Sequence, residues 1–231
     1  KQYGTLLLSV FVFLRISLYR TPLFMPTWLS CSTDCQTSPM KIILIGNNTE
    51  GQEPYMFLKP DSALLKDNKP FFIPDFTQSV TVSLHPVIRI SRLGKNIAER
   101  FAPRYYDAVT VGLDITAADI QEDCIAKSLP WEASNGFDGS AVIGKFVPVE
   151  HFRSLQTLHL KLDGDGQTVQ KLYSGDFLLD ADKIIALVSK YYTMKTGDLI
   201  YLGTSSPVDV QIGERLQGYL EQDMLFDFHI R

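Results

Sequence analysis

The chain of 231 residues has 45% apolar and 21% charged side chains, a net charge of −4 and three cysteines. Those values exclude a disordered chain, a collagen and a coiled coil, and three cysteines can build neither an all-thiolate zinc site nor a disulfide framework. A chain this long buries roughly 70% of its unfolded surface, so a core forms without staples. The mild acidity points away from nucleic acid.

The run Leu6 to Leu14, with Lys1 before it and Arg15 and Arg20 after it, is shorter than the roughly 20 residues needed to cross a hydrocarbon core. A signal-like segment and translated upstream sequence both fit it. Met40-Lys41-Ile42-Ile43-Leu44-Ile45-Gly46 reads as the start of the domain. Residues 1–39 are therefore set aside and residues 40–231 taken as one domain, expected to be cytoplasmic with no membrane partner.

Lys41 to Gly46 has the continuous apolar run of a buried strand, and Tyr55 to Leu58 and Phe71 to Ile73 read as short strands. In Val80 to Ser91, Val80, Val82, Leu84, Ile88 and Ile90 share one face, and Ser83, His85 and Arg89 share the other. Pro86 predicts an edge or a bulge there. Asn96 is placed to cap a short helix carrying Ile97 and Phe101 and stopped by Pro103. Val109, Val111 and Leu113 alternate into a strand that carries Asp114 on its opposite face. Thr116 is placed to cap a helix with Ala117, Ile120 and Cys124 on one side.

Leu158, Leu160 and Leu162 form a strand face, and Asp163-Gly164-Asp165-Gly166 signals a hairpin into Thr168 to Leu172. Ile184, Ile185, Leu187, Val188, Tyr191 and Tyr192 recur at helical spacing behind Asp180 or Asp182 as cap. Thr196-Gly197-Asp198 turns into the strand Leu199 to Leu202, and Arg215 to Leu220 pairs with Leu225 to Ile230 as a hairpin. Strands outnumber helices without βαβ alternation, which predicts an α+β class rich in antiparallel sheet.

Five stretches in order resemble one family. Ile45-Gly46-Asn47-Asn48, Phe57-Leu58-Lys59-Pro60-Asp61, Gly112-Leu113-Asp114-Ile115-Thr116-Ala117-Ala118-Asp119-Ile120-Gln121, Phe137-Asp138-Gly139-Ser140 and Gly197-Asp198-Leu199-Ile200-Tyr201-Leu202-Gly203-Thr204 are similar to motifs of fumarylacetoacetate hydrolase (FAH) family proteins. The resemblance covers Met40 to Arg231. It implies an FAH-type β-roll or mixed β-sandwich with a few short helices, usually dimeric. It also implies a Mg2+ or Mn2+ held by three carboxylates, which chelates a small 2-oxo acid during C–C hydrolysis, decarboxylation or tautomerisation. A metal ion in that role places positive charge where an enolate develops.

Carried onto this chain residue by residue, the implied ligand set is incomplete. The two glutamates fall at Ser83 and His85, and of the three carboxylates only Asp114 remains. A carboxylate about 4 Å from a cation contributes several kcal/mol even when screened, so Mg2+ or Mn2+ binding is expected to be weak or absent. His85 with Asp114 leaves Zn2+ open, and His85 is the candidate base; its alternative is a strand histidine bonded to a neighbour.

The family's early His–Glu pair is also missing, with Gln52, Glu50 and Glu53 in that stretch. Ala118 stands where an arginine is expected and Asn135 where a lysine is expected. Lys59, Gln121 and Thr204 remain as candidate contacts for a small 2-oxo acid. Three readings follow: a divergent FAH protein with impaired or lost turnover, an active hydrolase or isomerase rebuilt on His85 and Asp114, or a non-catalytic dimerisation subunit. The expected assembly is a homodimer, or a heterodimer with an active homologue.

Overall fold

The protein is described by a computed structural model over residues 39–49, 53–204 and 206–231; the upstream segment, apart from Pro39, and the Gln52 and Glu50 positions lie outside the described residues.

Strand β1 (Ile42–Gly46) pairs antiparallel with β2 (Tyr55–Lys59) and parallel with β10 (Leu199–Tyr201). The long strands β4 (Val80–Ile90) and β5 (Tyr106–Ala117) form the central antiparallel ladder. With β3 (Leu64–Leu65) and β6 (Ala141–Ile143) the order is β2-β1-β10-β4-β5-β6-β3; β7 (Val147–Pro148) joins β5, and β11 (Val208–Val210) joins β4, giving nine strands. A second sheet of four strands runs β13 (Asp223–His229), β12 (Arg215–Leu220), β8 (His159–Gly164) and β9 (Gln167–Tyr173). Among the described residues three α-helices, α1 (Ala118–Ala126), α2 (Glu132–Asn135) and α3 (Ala181–Tyr191), complete the α+β fold expected from sequence.

The two-residue period of each strand sorts side chains onto two faces. On one face of the large sheet, Val82, Leu84, Ile88, Val111, Leu113 and Ile115 pack with Leu160, Leu162, Leu216 and Phe228 of the small sheet and with Ile184, Ile185 and Val188 of α3. Each such side chain contributes about 1.5–3 kcal/mol when fully buried. On the other face, Ile42, Leu44, Val87, Ala141, Leu199 and Tyr201 form a smaller cluster. Asp114 lies on that second face, as the alternation requires. The Asp165-Gly166 turn (φ 48 and 80) is the expected hairpin, and Asp180 caps α3 by accepting from Lys183 N.

Four local expectations are corrected. Phe71 to Ile73 is not a strand: flanked by Pro70 and Pro74, it makes one bridge to Ile230 plus bonds to the C-terminal backbone. Asn96 sits at φ 51 and caps no helix; the turn that follows is a 3-10 segment, Glu99–Arg104, which contains Pro103. Thr116 does not cap α1, because β5 stays paired through Ala117. Pro86 lies within β4 with no bulge at its position. Its carbonyl accepts from Leu202 N, so its nitrogen faces the same side, in the gap between β10 and β11 where no ladder bond is lost.

Candidate functional site

Lys59 and Asp114 meet although β2 and β5 are four strand spacings apart, about 19 Å on a flat sheet. A lysine side chain cannot bridge that span, so the sheet must curl, bringing the second face inward. Lys59 is 3% exposed. Its ammonium pairs with the Asp114 carboxylate and donates to Ser140 O at 2.8 Å and Ile115 O at 3.3 Å. An ammonium has three donors, and all are engaged. Burial lowers the Lys59 pKa and Asp114 restores part of it; burial raises the Asp114 pKa and Lys59 pulls part of it back.

Ser83 is directly opposite Asp114 in the β4–β5 register, and His85 is opposite Gly112, so the three expected positions share one patch of the inner face. His85 is 2% exposed and neither ring nitrogen has a partner. Burial first, then the Lys59 charge, lowers its pKa to about 3, so the imidazole is neutral. Its ring meets the Tyr201 ring edge-on at 5.4 Å, and the Tyr201 hydroxyl donates to Val142 O at 2.9 Å. Gly112 makes the room: a Cβ there would lie 2.6 Å from Val87 Cγ2 and 2.8 Å from Tyr201 Cε1.

The residues singled out as acid contacts are not gathered in one place. Lys59 is consumed inside the sheet. Thr204 lines a separate cavity of about 490 Å3 with Asn47, Thr49, Lys171, Tyr173 and Asp176. Gln121 stands on α1, no residue of which is buried. Glu53 is exposed. Asn135 is buried in α2, where its carbonyl accepts from Ser140 Oγ at 2.7 Å.

Other motif residues are structural. Asn48 donates to Leu179 O and Leu202 O and accepts from Leu179 N. Asp119 ties α1 to Thr77 and Gln78, and buried Asp198 accepts from the backbone of Lys41 and Lys195. Sequence reading missed Tyr55, which lies across Gly46 and whose phenol pKa is raised by burial and by the nearby Asp114 charge. Its alternation with Phe57 and Lys59 on β2 was the available signal.

The donor set does not fit the Mg2+ or Mn2+ that the family implies. No group of three His, Cys, Asp or Glu side chains converges among the described residues. Of the three carboxylates that the resemblance implies for a divalent ion, Asp114 alone is present. Here Asp114 and Lys59 cancel, so a hard dication would enter a site with no net charge to meet it.

A curled mixed sheet backed by a second sheet, with an ion pair on its inner face, defines a β-rich α+β class. Residues 37–225 match the family described as Fumarylacetoacetate (FAA) hydrolase C-terminal, and the chain belongs to that family. It is 34% identical to the mitochondrial oxaloacetate decarboxylase of Dictyostelium discoideum, covering 78% of this chain and 84% of the relative. Against the mitochondrial oxaloacetate tautomerase FAHD1 of Mus musculus it is 32% identical over 68% of this chain and 71% of the relative. A Yersinia pestis CO92 structure assigned to the same family superposes with a TM-score of 0.78 at 29% identity, covering 83% and 92% of the two chains. Fumarylpyruvate hydrolase of Pseudomonas aeruginosa, solved with Mn2+ and pyruvate, bears on the fold alone at 23% identity, with a TM-score of 0.76 and coverage of 82% and 88%.

Proposed function

We propose that this chain is a divergent FAH protein whose site descends from metal-dependent chemistry on small 2-oxo acids and has lost conventional Mg2+-dependent turnover. Relatives named for oxaloacetate decarboxylation and tautomerisation give the substrate class. The observation that carries the loss is the self-neutralised Lys59–Asp114 pair with Ser83 and His85 beside it. A domain over 40–231, cytoplasmic residence and a homodimer or a heterodimer with an active homologue belong to the same proposal. The mitochondrial names of the relatives make cell fractionation the check on compartment.

Calorimetric titration with Mg2+ and Mn2+, followed by oxaloacetate decarboxylation, oxaloacetate tautomerisation and acylpyruvate hydrolysis assays, tests the central reading. No heat and no turnover are expected; micromolar binding with turnover overturns it. One observation favours a second reading. The unpartnered nitrogens of His85 could ligate a softer ion with Asp114. Tight Zn2+ binding abolished by His85→Leu would replace the first reading with a rebuilt site.

A further inference from the structure

The expectation of no membrane partner rested on the lack of a spanning segment, which leaves binding at a membrane surface unaddressed. The segments 92–104 and 190–195 carry Arg92, Lys95, Arg100, Arg104, Lys190 and Lys195 with Glu99 as the one acid within them, in a chain of net charge −4; Asp182 and Asp198 are the neighbouring acids. The segment 92–104 is stitched to the C-terminal end of α3. Gly94 bridges Met194, Asn96 N donates to Ser189 O at 2.9 Å, Ile97 N to Ser189 Oγ at 2.8 Å, and Lys95 Nζ to Tyr191 O at 2.7 Å. These bonds hold the surface in one shape before any partner arrives.

Two large apolar side chains stand out on these joined segments: Leu93 is 69% exposed and Tyr191 is 63% exposed. Phe101, in the same segment as Leu93, has the guanidinium groups of Arg100 and Arg104 at 4.7 and 5.3 Å from its ring. Lys190 in the last turn of α3 has a local use, since cations complement a helix C-terminus. That does not account for Arg92, Arg100 and Arg104, which have no ion pair among the described residues. Nor does it account for a leucine held in water.

Apolar tips among snorkelling cations match the boundary of an anionic bilayer, where rings and aliphatic chains enter the headgroup layer and ammonium and guanidinium groups meet phosphates. Nucleic acid would use the same cations and could stack on Tyr191, but it gives no role to the exposed Leu93, so single-stranded RNA is carried into the test as a competitor. We propose that this face docks on an anionic phospholipid surface, with Leu93 and Tyr191 entering the headgroup region and the lysines and arginines of the same segments binding lipid phosphates. The inference is independent of the candidate site. Ser83 and Ile90 are about 23 Å apart along β4, and the patch begins beyond that end.

The test is co-sedimentation of the full chain with vesicles of phosphatidylcholine alone and of phosphatidylcholine with phosphatidylserine, at low and high salt. The expected result is binding at least about tenfold stronger to the phosphatidylserine vesicles, lost at high salt. Arg92→Glu with Arg100→Glu should abolish it. Leu93→Ser should weaken it about tenfold while keeping the salt dependence. All three positions are exposed, and circular dichroism checks that the variants fold. Equal affinity for both vesicles, no binding at low salt, full binding by the charge-reversed variant, or displacement from vesicles by an equal charge of single-stranded RNA would each overturn the proposal.

Discussion

His85 is held where an ionised imidazole has nothing to stabilise it. Both ring nitrogens are buried without partners, and burial first and then the Lys59 charge lower its pKa from 6.5 to about 3. The unfolded chain therefore takes the proton first. Stability from this group is complete above about pH 6.5 and is lost, at about 1.4 kcal/mol per pH unit, as pH falls toward about 3. Urea midpoints followed over that window should decline in the wild type and decline less steeply in His85→Leu; parallel slopes would show that His85 is paired. Lys59 has the opposite vulnerability. Lys59→Met leaves the Asp114 carboxylate buried without its cation, and the expected loss is about 3–5 kcal/mol by the same measurement. The alternation of β4 made the shared face of Ser83 and His85 legible. The destination of Lys59 was not, because a lysine in a loop-flanked motif reads as a solvent contact until the sheet is known to curl.

At the scale of elements, the legible parts were those whose pattern is local. The hairpin at Asp165-Gly166, the Asp180-capped helix α3 and the β12–β13 pair needed only turn chemistry and periodicity. The misreadings came where tertiary pairing overrode a local signal. Ala117 stays in a ladder with Val80, so the α1 cap shifts past Thr116. Pro86 is accommodated by a gap between two neighbouring strands that no local sequence reveals. Gly112 is the corresponding packing device: its missing side chain admits Tyr201, and a Cβ would also come within 2.9 Å of Val142 O. Gly112→Ala should cost about 1–3 kcal/mol by overpacking, read as a lowered melting temperature. It should also disturb the edge-on contact of Tyr201 with His85, visible as a shift of the His85 ring proton resonances.

For the whole molecule, one fold supports two electrostatic outcomes depending on what two strand positions carry. The curled sheet, the Lys59–Asp114 pair and the structural ties of Asn48, Asp119 and Asp198 do not depend on a metal ion. The wild-type melting temperature should therefore be the same in millimolar Mg2+ as in a chelator. Ser83→Glu combined with His85→Glu would place three carboxylates against one ammonium on the inner face and leave two negative charges. Without metal the double variant should be less stable than the wild type, through repulsion and burial of charge. With Mg2+ at about one hundred times its dissociation constant, binding would add about 2.7 kcal/mol, or a rise of about 5–10 °C for a domain of this size. Scanning calorimetry of both proteins with and without Mg2+ separates the two halves of the argument. A wild-type midpoint that rises with Mg2+ refutes the neutral centre, whereas a double variant that ignores Mg2+ refutes the placement of the ancestral ligands at Ser83 and His85.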